Sequence, residues 1–354
     1  MTKANVTETV VGRSLRAVVL ENDWLSSTVV LDQGADILTL VYVPKGIDVL
    51  WKPPRPPRDP GVGPTPSGDS FALWLAHYRG GWQTIFPNFG QAVEYKEALL
   101  DFHGEAARIP WQLEAVDDEG EQIRLTVGVR LLKSPFRIQR VMALAAHQPQ
   151  LTISETITNE GPEPMECMWG HHPTFGAPFL SSECVIDTGA RAIESDDSYN
   201  VSGNDLPLGQ TWAWPQVNNR QGNAVDLSRP PAPGSGYSRV LFLKDFQESW
   251  YAITNPTLGF GVGVVWDGAL FPYACFWQES GGVRQHPFYG AAYATAIEPN
   301  SSYPGQGLRA AIQKTGTQLT FEPGQSLTLK LIAVFYEGHQ RVAHIDPQGH
   351  VTRR

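Results

Sequence analysis

Apolar and polar side chains alternate with period two through much of the chain. In QIRLTVGVRLL the apolar positions are Ile123, Leu125, Val127, Val129 and Leu131, the spacing of a strand with one buried face and one wetted face. FRIQRVMAL, LTISETITN, FGVGVVW and SLTLKLIAVFY carry similar strand signals. Turn clusters such as DDEGEQ, NEGPEP, NPTLG and EPGQ separate them. The only stretch whose spacing suits a helix is the short QAVEYKEALLD, residues 91–101. Many strands, few helices and frequent turns predict an all-β protein, a sandwich or a barrel. Two stretches break the pattern. Residues 51–69, WKPPRPPRDPGVGPTPSGD, are too proline-rich for a core strand and read as a long loop. Residues 191–236 are polar, with Trp212 and Trp214 embedded, and read as an inserted or lid-like segment. With no repeat of fixed length, residues 1–354 read as one domain.

Composition narrows the function more than the fold. The 354 residues are 42% hydrophobic and 18% charged, with a net charge of −9. A phosphate-binding face needs clustered cations, so nucleic acid is not an expected partner. The N-terminal MTKANVTETVVGRSL lacks the apolar core of a signal peptide, and no run is long and apolar enough to span a bilayer. Three widely spaced cysteines, Cys167, Cys184 and Cys275, form no CxxC pair. Neither a disulfide framework nor a structural zinc site is expected, and a reducing cytoplasm fits. Eleven Trp, 28 Pro and 34 Gly suit a turn-rich β protein that offers flat aromatic faces to a ring-shaped ligand.

The candidate chemistry is acid–base. Among the nine histidines there is no HxH or HExxH, and His171 and His172, if on a strand, point to opposite faces and cannot readily share a metal. GFGVG (259–263) is not followed by a helix signal, and no GxSxG elbow is present. Neither a metal nor a cofactor is expected. Four segments instead set polar residues among Gly, Pro and aromatics. They are HYRGGWQTIFPNFG (77–90), HGEAARIPW (103–111), WGHHPTFG (169–176) and AIEPN (296–300). Which of His171 and His172 faces a site depends on a register that one residue of slip would invert.

In order and spacing these segments resemble the aldose 1-epimerase, or galactose mutarotase-like, family over residues 75–335. The pieces are Arg79-Gly80-Gly81 with Phe86-Pro87-Asn88-Phe89-Gly90, His103-Gly104 with Ala107-Arg108, His172-Pro173-Thr174-Phe175, and Ile297-Glu298-Pro299. The first two look nearest to the hexose-6-phosphate mutarotase branch. The resemblance implies a large antiparallel β-sandwich of galactose mutarotase-like type. It also implies that Glu298 and His172 are an acid–base pair interconverting α and β anomers of a sugar through ring opening. Glu298 would be the base and His172 the acid, on opposite sides of the ring. His103 and Arg79 would hold the sugar. Further candidate contacts are His171, Gln83, Asn88 and Gln278, with Glu279 as another hydroxyl partner and Trp82, Trp169 or Trp277 as ring platforms. Glu105 stands where the family more often has an aromatic, and Asp245, Asp267 and Glu279 compete as a second acid. A phosphosugar would need a cation beside Arg79, with Arg108 and Arg284 as candidates. The alternatives are a non-catalytic sugar-binding or sugar-sensing protein using the same cleft, or a lyase or hydrolase acting on a larger saccharide. A monomer or homodimer is expected.

Overall fold

The structure, a computed structural model, describes residues 4–55, 57, 59, 69–118 and 120–354. The proline-rich stretch therefore falls partly outside the described residues. The rest is dominated by one large antiparallel sheet.

From one edge, the strands run Gln112–Asp118, Gln122–Arg130, Phe136–Ala145, Gln150–Asn159, Ser326–Glu337 and Phe260–Trp266. The sheet then turns on the 18-residue strand Ser238–Asn255. The end of that strand, Trp250–Asn255, pairs with 260–265. Its beginning, Ser238–Leu243, pairs with Tyr273–Ser280. Val185–Ser195 runs along both halves, with a bulge between Thr188 and Ala190; Asp245 opposite has φ +53. Between the partners of Thr188 and Ala190, strand 238–255 carries three more residues than strand 185–195, and an irregularity of this kind bends and twists a strand, which lets one ladder serve two layers. Beyond the bend come Tyr293–Asn300, Gly170–Gly176, Trp82–Ile85, Asp36–Tyr42, Leu25–Val30, Leu15–Glu21 and Asn5–Val11. The last of these returns to the first edge strand, 112–118. The sheet is nearly closed on itself, and the fold is all-β.

The alternation read from the sequence is the alternation of burial. Ile123, Leu125, Val127, Ile138, Met142, Leu144, Leu151, Ile153 and Ile157 fill one core. Strands 170–176 and 260–266 are instead buried at every position, as strands covered on both faces are. The helix expectation is corrected. Residues 91–101 form a hairpin, Val93–Tyr95 with Ala98–Leu100, turning through Lys96 and Glu97 at φ +46 and +65. Such a turn normally advertises itself with Asn or Gly, and here it does not. Among the described residues the one regular helix of that length is Ser70–His77, capped by Asp69 Oδ1 accepting from the Ala72 N–H at 2.9 Å. Residues 191–236 finish strand 185–195, add Thr211–Ala213 to it, and form a small hairpin. Among the described residues no helix is long and apolar enough to cross a membrane.

Candidate active site

The pleat sends the two histidines of strand 170–176 to opposite sides of the sheet. His171 faces the core. Its Nδ1 accepts the Trp82 indole N–H at 3.1 Å, which leaves its Nε2 directed at Glu155 Oε1, 3.4 Å away. His171 does not line the cavity that His172 borders. His172 faces a cavity of about 370 Å³.

Glu298 meets His172 because their strands are neighbours. Thr174 pairs with Ala296 and Gly170 with Asn300, and that register sets residue 298 across from residue 172. Glu298 Oε1 lies 3.5 Å from His172 Nε2. Its other oxygen is buried without a hydrogen-bond partner among the described residues. A chain of hydroxyls fixes the imidazole from behind. Thr174 Oγ1 is 2.8 Å from His172 Nδ1 and 2.8 Å from the Tyr78 hydroxyl.

His103 reaches the same cavity from a turn. Its φ of +58 is a left-handed conformation that histidine tolerates better than most residues. At Gly104, φ +73, a side chain would run into the Phe86 carbonyl. His103 Nδ1 accepts the Gly90 N–H at 3.2 Å, so Nε2 is the donor it can offer. Its ring lies 5.6 Å from that of His172 and 4.9 Å from that of Trp74. The helix closes this side with Phe71, Trp74 and Leu75, followed by Tyr78, the i, i+3, i+4, i+7 spacing of one helical face.

Burial sets the charges. It pushes the Glu298 carboxyl well above its usual range and pulls His172 down to about 4. Burial, and then the neighbouring His172, hold His103 well below the ordinary imidazole value. These opposite shifts favour the neutral pair, with its proton on Glu298. This has a consequence for stability. The unfolded chain releases that proton near pH 4.5, while the folded protein keeps it. The contribution of this one group is then lost as pH rises above that value, by about 1.4 kcal/mol per pH unit until the folded carboxyl ionises. Glu298→Gln removes that contribution and leaves those of the lowered histidines, which run the other way, in both proteins. Its urea midpoint is expected to match wild type near about pH 4 and to rise above it progressively towards about pH 7. A difference that stays flat with pH would mean an ionised Glu298 in the fold.

Several sequence candidates lie elsewhere. Arg79 donates to Asp59 Oδ1 at 2.6 Å and Gln33 Oε1 at 3.1 Å and does not line the cavity. Gln83 sits behind it, accepting from Trp74 Nε1 and donating to Asp36 Oδ2. Asn88 clamps backbone, donating to Gln91 and Asp101 carbonyls and accepting from the Leu308 N–H. Gln278 accepts from Arg239 at 3.2 Å. Glu105 is buried on the Leu132 and Lys133 N–H groups. Glu279 accepts from Gly282 and Val283. Asp245 borders a separate surface depression and Asp267 caps its own turn. Trp82 and Trp169 are core residues, whereas Trp277 lines the cavity. The acid that does border the cavity is Asp196, with Tyr199, Gln306 and the rim residue His286. Among the described residues no three His, Cys, Asp or Glu side chains converge as a metal site.

The fold recurs in solved structures of low identity. A protein provisionally named an aldose 1-epimerase, from Klebsiella pneumoniae, superposes with a TM-score of 0.74 at 16% identity, over 95% of this chain and 84% of its own. A galactose mutarotase-like protein from Clostridium acetobutylicum gives 0.66 at 15%, over 95% and 99%. A second one, from Lactobacillus casei, gives 0.60 at 16%, over 90% and 100%. By sequence, no curated protein matches. One family model, described as a domain of unknown function (DUF4432), matches residues 12–333.

Proposed function

This chain belongs to the DUF4432 family, and for it we propose an aldose 1-epimerase activity: cofactor-independent interconversion of sugar anomers by Glu298 and His172. The observation that carries this reading is the buried, unpartnered oxygen of Glu298, beside an imidazole and open to a ring-sized cavity. A carboxyl group buried without a partner costs stability. Its position beside a titratable ring at a cavity is the mark of an acid–base site.

The 3.5 Å separation changes the expected geometry. Groups this close cannot flank opposite sides of a pyranose ring. They can both meet its anomeric edge, where O1 and the ring oxygen are bonded to the same carbon. One group takes the O1 proton, the C1–O1 bond becomes a carbonyl, the bond from C1 to the ring oxygen breaks, and the other group protonates that oxygen. Rotation about C1–C2 and the reverse steps give the other anomer. The resting proton on Glu298 makes it the acid for opening and His172 the base, inverting the roles implied by resemblance. Closure exchanges them. His103 Nε2 is placed to donate to an oxygen at the same edge, and Trp277 offers a ring face.

The test is polarimetry on freshly dissolved pure anomers of neutral aldoses. The wild-type protein is expected to shorten the approach to equilibrium for at least one of them, in proportion to protein concentration. If equilibration stays at the buffer rate for every aldose that binds, the reading fails and a sugar-binding role replaces it.

A further inference from the structure

Building on the anomer-interconverting reading, we infer that the cavity selects an uncharged aldose whose edge remote from C1 is deoxygenated, as in a 6-deoxyhexose. Two sets of observations point there. The first is charge. Among the described residues that line the cavity there is no lysine or arginine. The cations a phosphate would need are held elsewhere, Arg79 by Asp59 and Arg108 by Asp101, and Arg284 does not line it. The lining instead includes the acidic side chain of Asp196, which disfavours a phosphate or a uronate.

The second is the supply of hydrogen bonds. Of the polar lining residues other than His172, Glu298 and His103, Gln91, Gln285 and His286 are exposed, while Asp196, Tyr199 and Gln306 have their hydrogen bonds made within the protein. Asp196 accepts from the N–H groups of Ser198 and Tyr199, the Ser198 hydroxyl and Gln306. Gln306 is spent further on Asp197 and Lys314. The Tyr199 hydroxyl is 2.7 Å from Ser238 Oγ. The rest of the lining is largely apolar: Phe71, Leu75, Val240 and Phe288, with Phe89 and Phe102 packed on the His103 ring. A hydroxyl carried against these side chains gives up water and finds no partner, whereas a methyl or methylene finds contact.

The experiment compares matched series in the gluco, galacto and manno configurations: the parent hexose, its 6-deoxy analogue, its 6-phosphate and its uronate. Binding to the full-length protein is measured by calorimetry, and kcat/KM by polarimetry. In at least one series the 6-deoxy member is expected to bind about ten- to a hundredfold tighter than the parent, with both anionic members weaker still. Tightest binding by a parent hexose or by an anion in every series, or no binding by any member, overturns the inference. Deoxysugar binding without faster equilibration would leave it standing and remove the catalytic reading. Rapid equilibration with parent hexoses preferred would do the reverse.

Discussion

Glu298→Gln and His172→Ala are each expected to reduce enzymatic anomer equilibration by about 10²–10⁴-fold, the usual contribution of a positioned acid or base. Gln keeps the shape of the side chain but can neither give nor take the proton, so sugar binding should survive while kcat falls. The two groups lie 3.5 Å apart and in the proposed mechanism act as a unit. The double variant should therefore lose little more than the worse single one. The pH dependence follows from the same burial. Activity needs His172 free and Glu298 protonated, or the converse with the same net charge. The acid limb of kcat/KM is expected near the about 4 of His172, and the alkaline limb above the ordinary carboxylate range, where Glu298 gives up its proton. Polarimetry across pH, corrected for buffer catalysis, reads both limbs. Either single variant retaining wild-type kcat, with its fold intact, would exclude the pair as catalysts.

What could be read in advance divides along physical lines. The strands were legible because one-sided burial writes itself as a period of two, as along 123–131 and 136–144. That His172, Glu298 and His103 border one cavity was legible because each sits in a short motif of Gly or Pro that the backbone path demands, such as the left-handed His103-Gly104 turn. Arg79, Gln83 and Asn88 stood in equally suggestive motifs yet serve as braces. Whether a polar side chain faces a cavity or a partner depends on residues far along the chain, such as Asp59, Asp36 and Leu308. Asp196 went unnoticed for the same reason, since its place at the cavity comes from the path after strand 185–195 and its contact with Gln306. The cavity helix did carry a signal: Phe71, Trp74, Leu75 and Tyr78 have helical spacing, but the proline-rich run before them masked it. The hairpin at 93–100 had no turn residue to announce it.

The sequence also held a signal at the other face of the histidine strand. FRIQRVMAL and LTISETITN each place one charged residue, Arg140 and Glu155, in the apolar phase of a strand, and the two are direct cross-strand partners. Replacing Glu155 by Ala is expected to destabilise the protein by about 3–5 kcal/mol, because it strands a buried guanidinium. Arg140 is 2% exposed. It donates Nε to Glu155 Oε2 at 2.7 Å and Nη1 to the Ala35 carbonyl at 2.8 Å, and lies 4.6 Å from the centre of the Trp111 ring. Thr84 Oγ1 and Trp169 Nε1 donate to the same carboxylate at 2.9 and 2.8 Å, with His171 at its edge. Burial by itself would raise this carboxyl; Arg140 and His171 more than reverse that and hold it below the usual range. Its contribution is therefore present above the unfolded value of 4.5 and is lost as pH falls through the depressed folded value. Glu155→Gln keeps the shape and should cost less than Ala at neutral pH, with the gap to wild type closing as the medium becomes strongly acidic. Changing both partners, Glu155→Leu with Arg140→Met, should recover much of the loss, since neither charge is left unpaired. Urea unfolding of the four proteins at two pH values separates these terms. A Glu155→Ala loss below about 1 kcal/mol would mean that water reaches Arg140 and that the network does not brace the strand carrying His172.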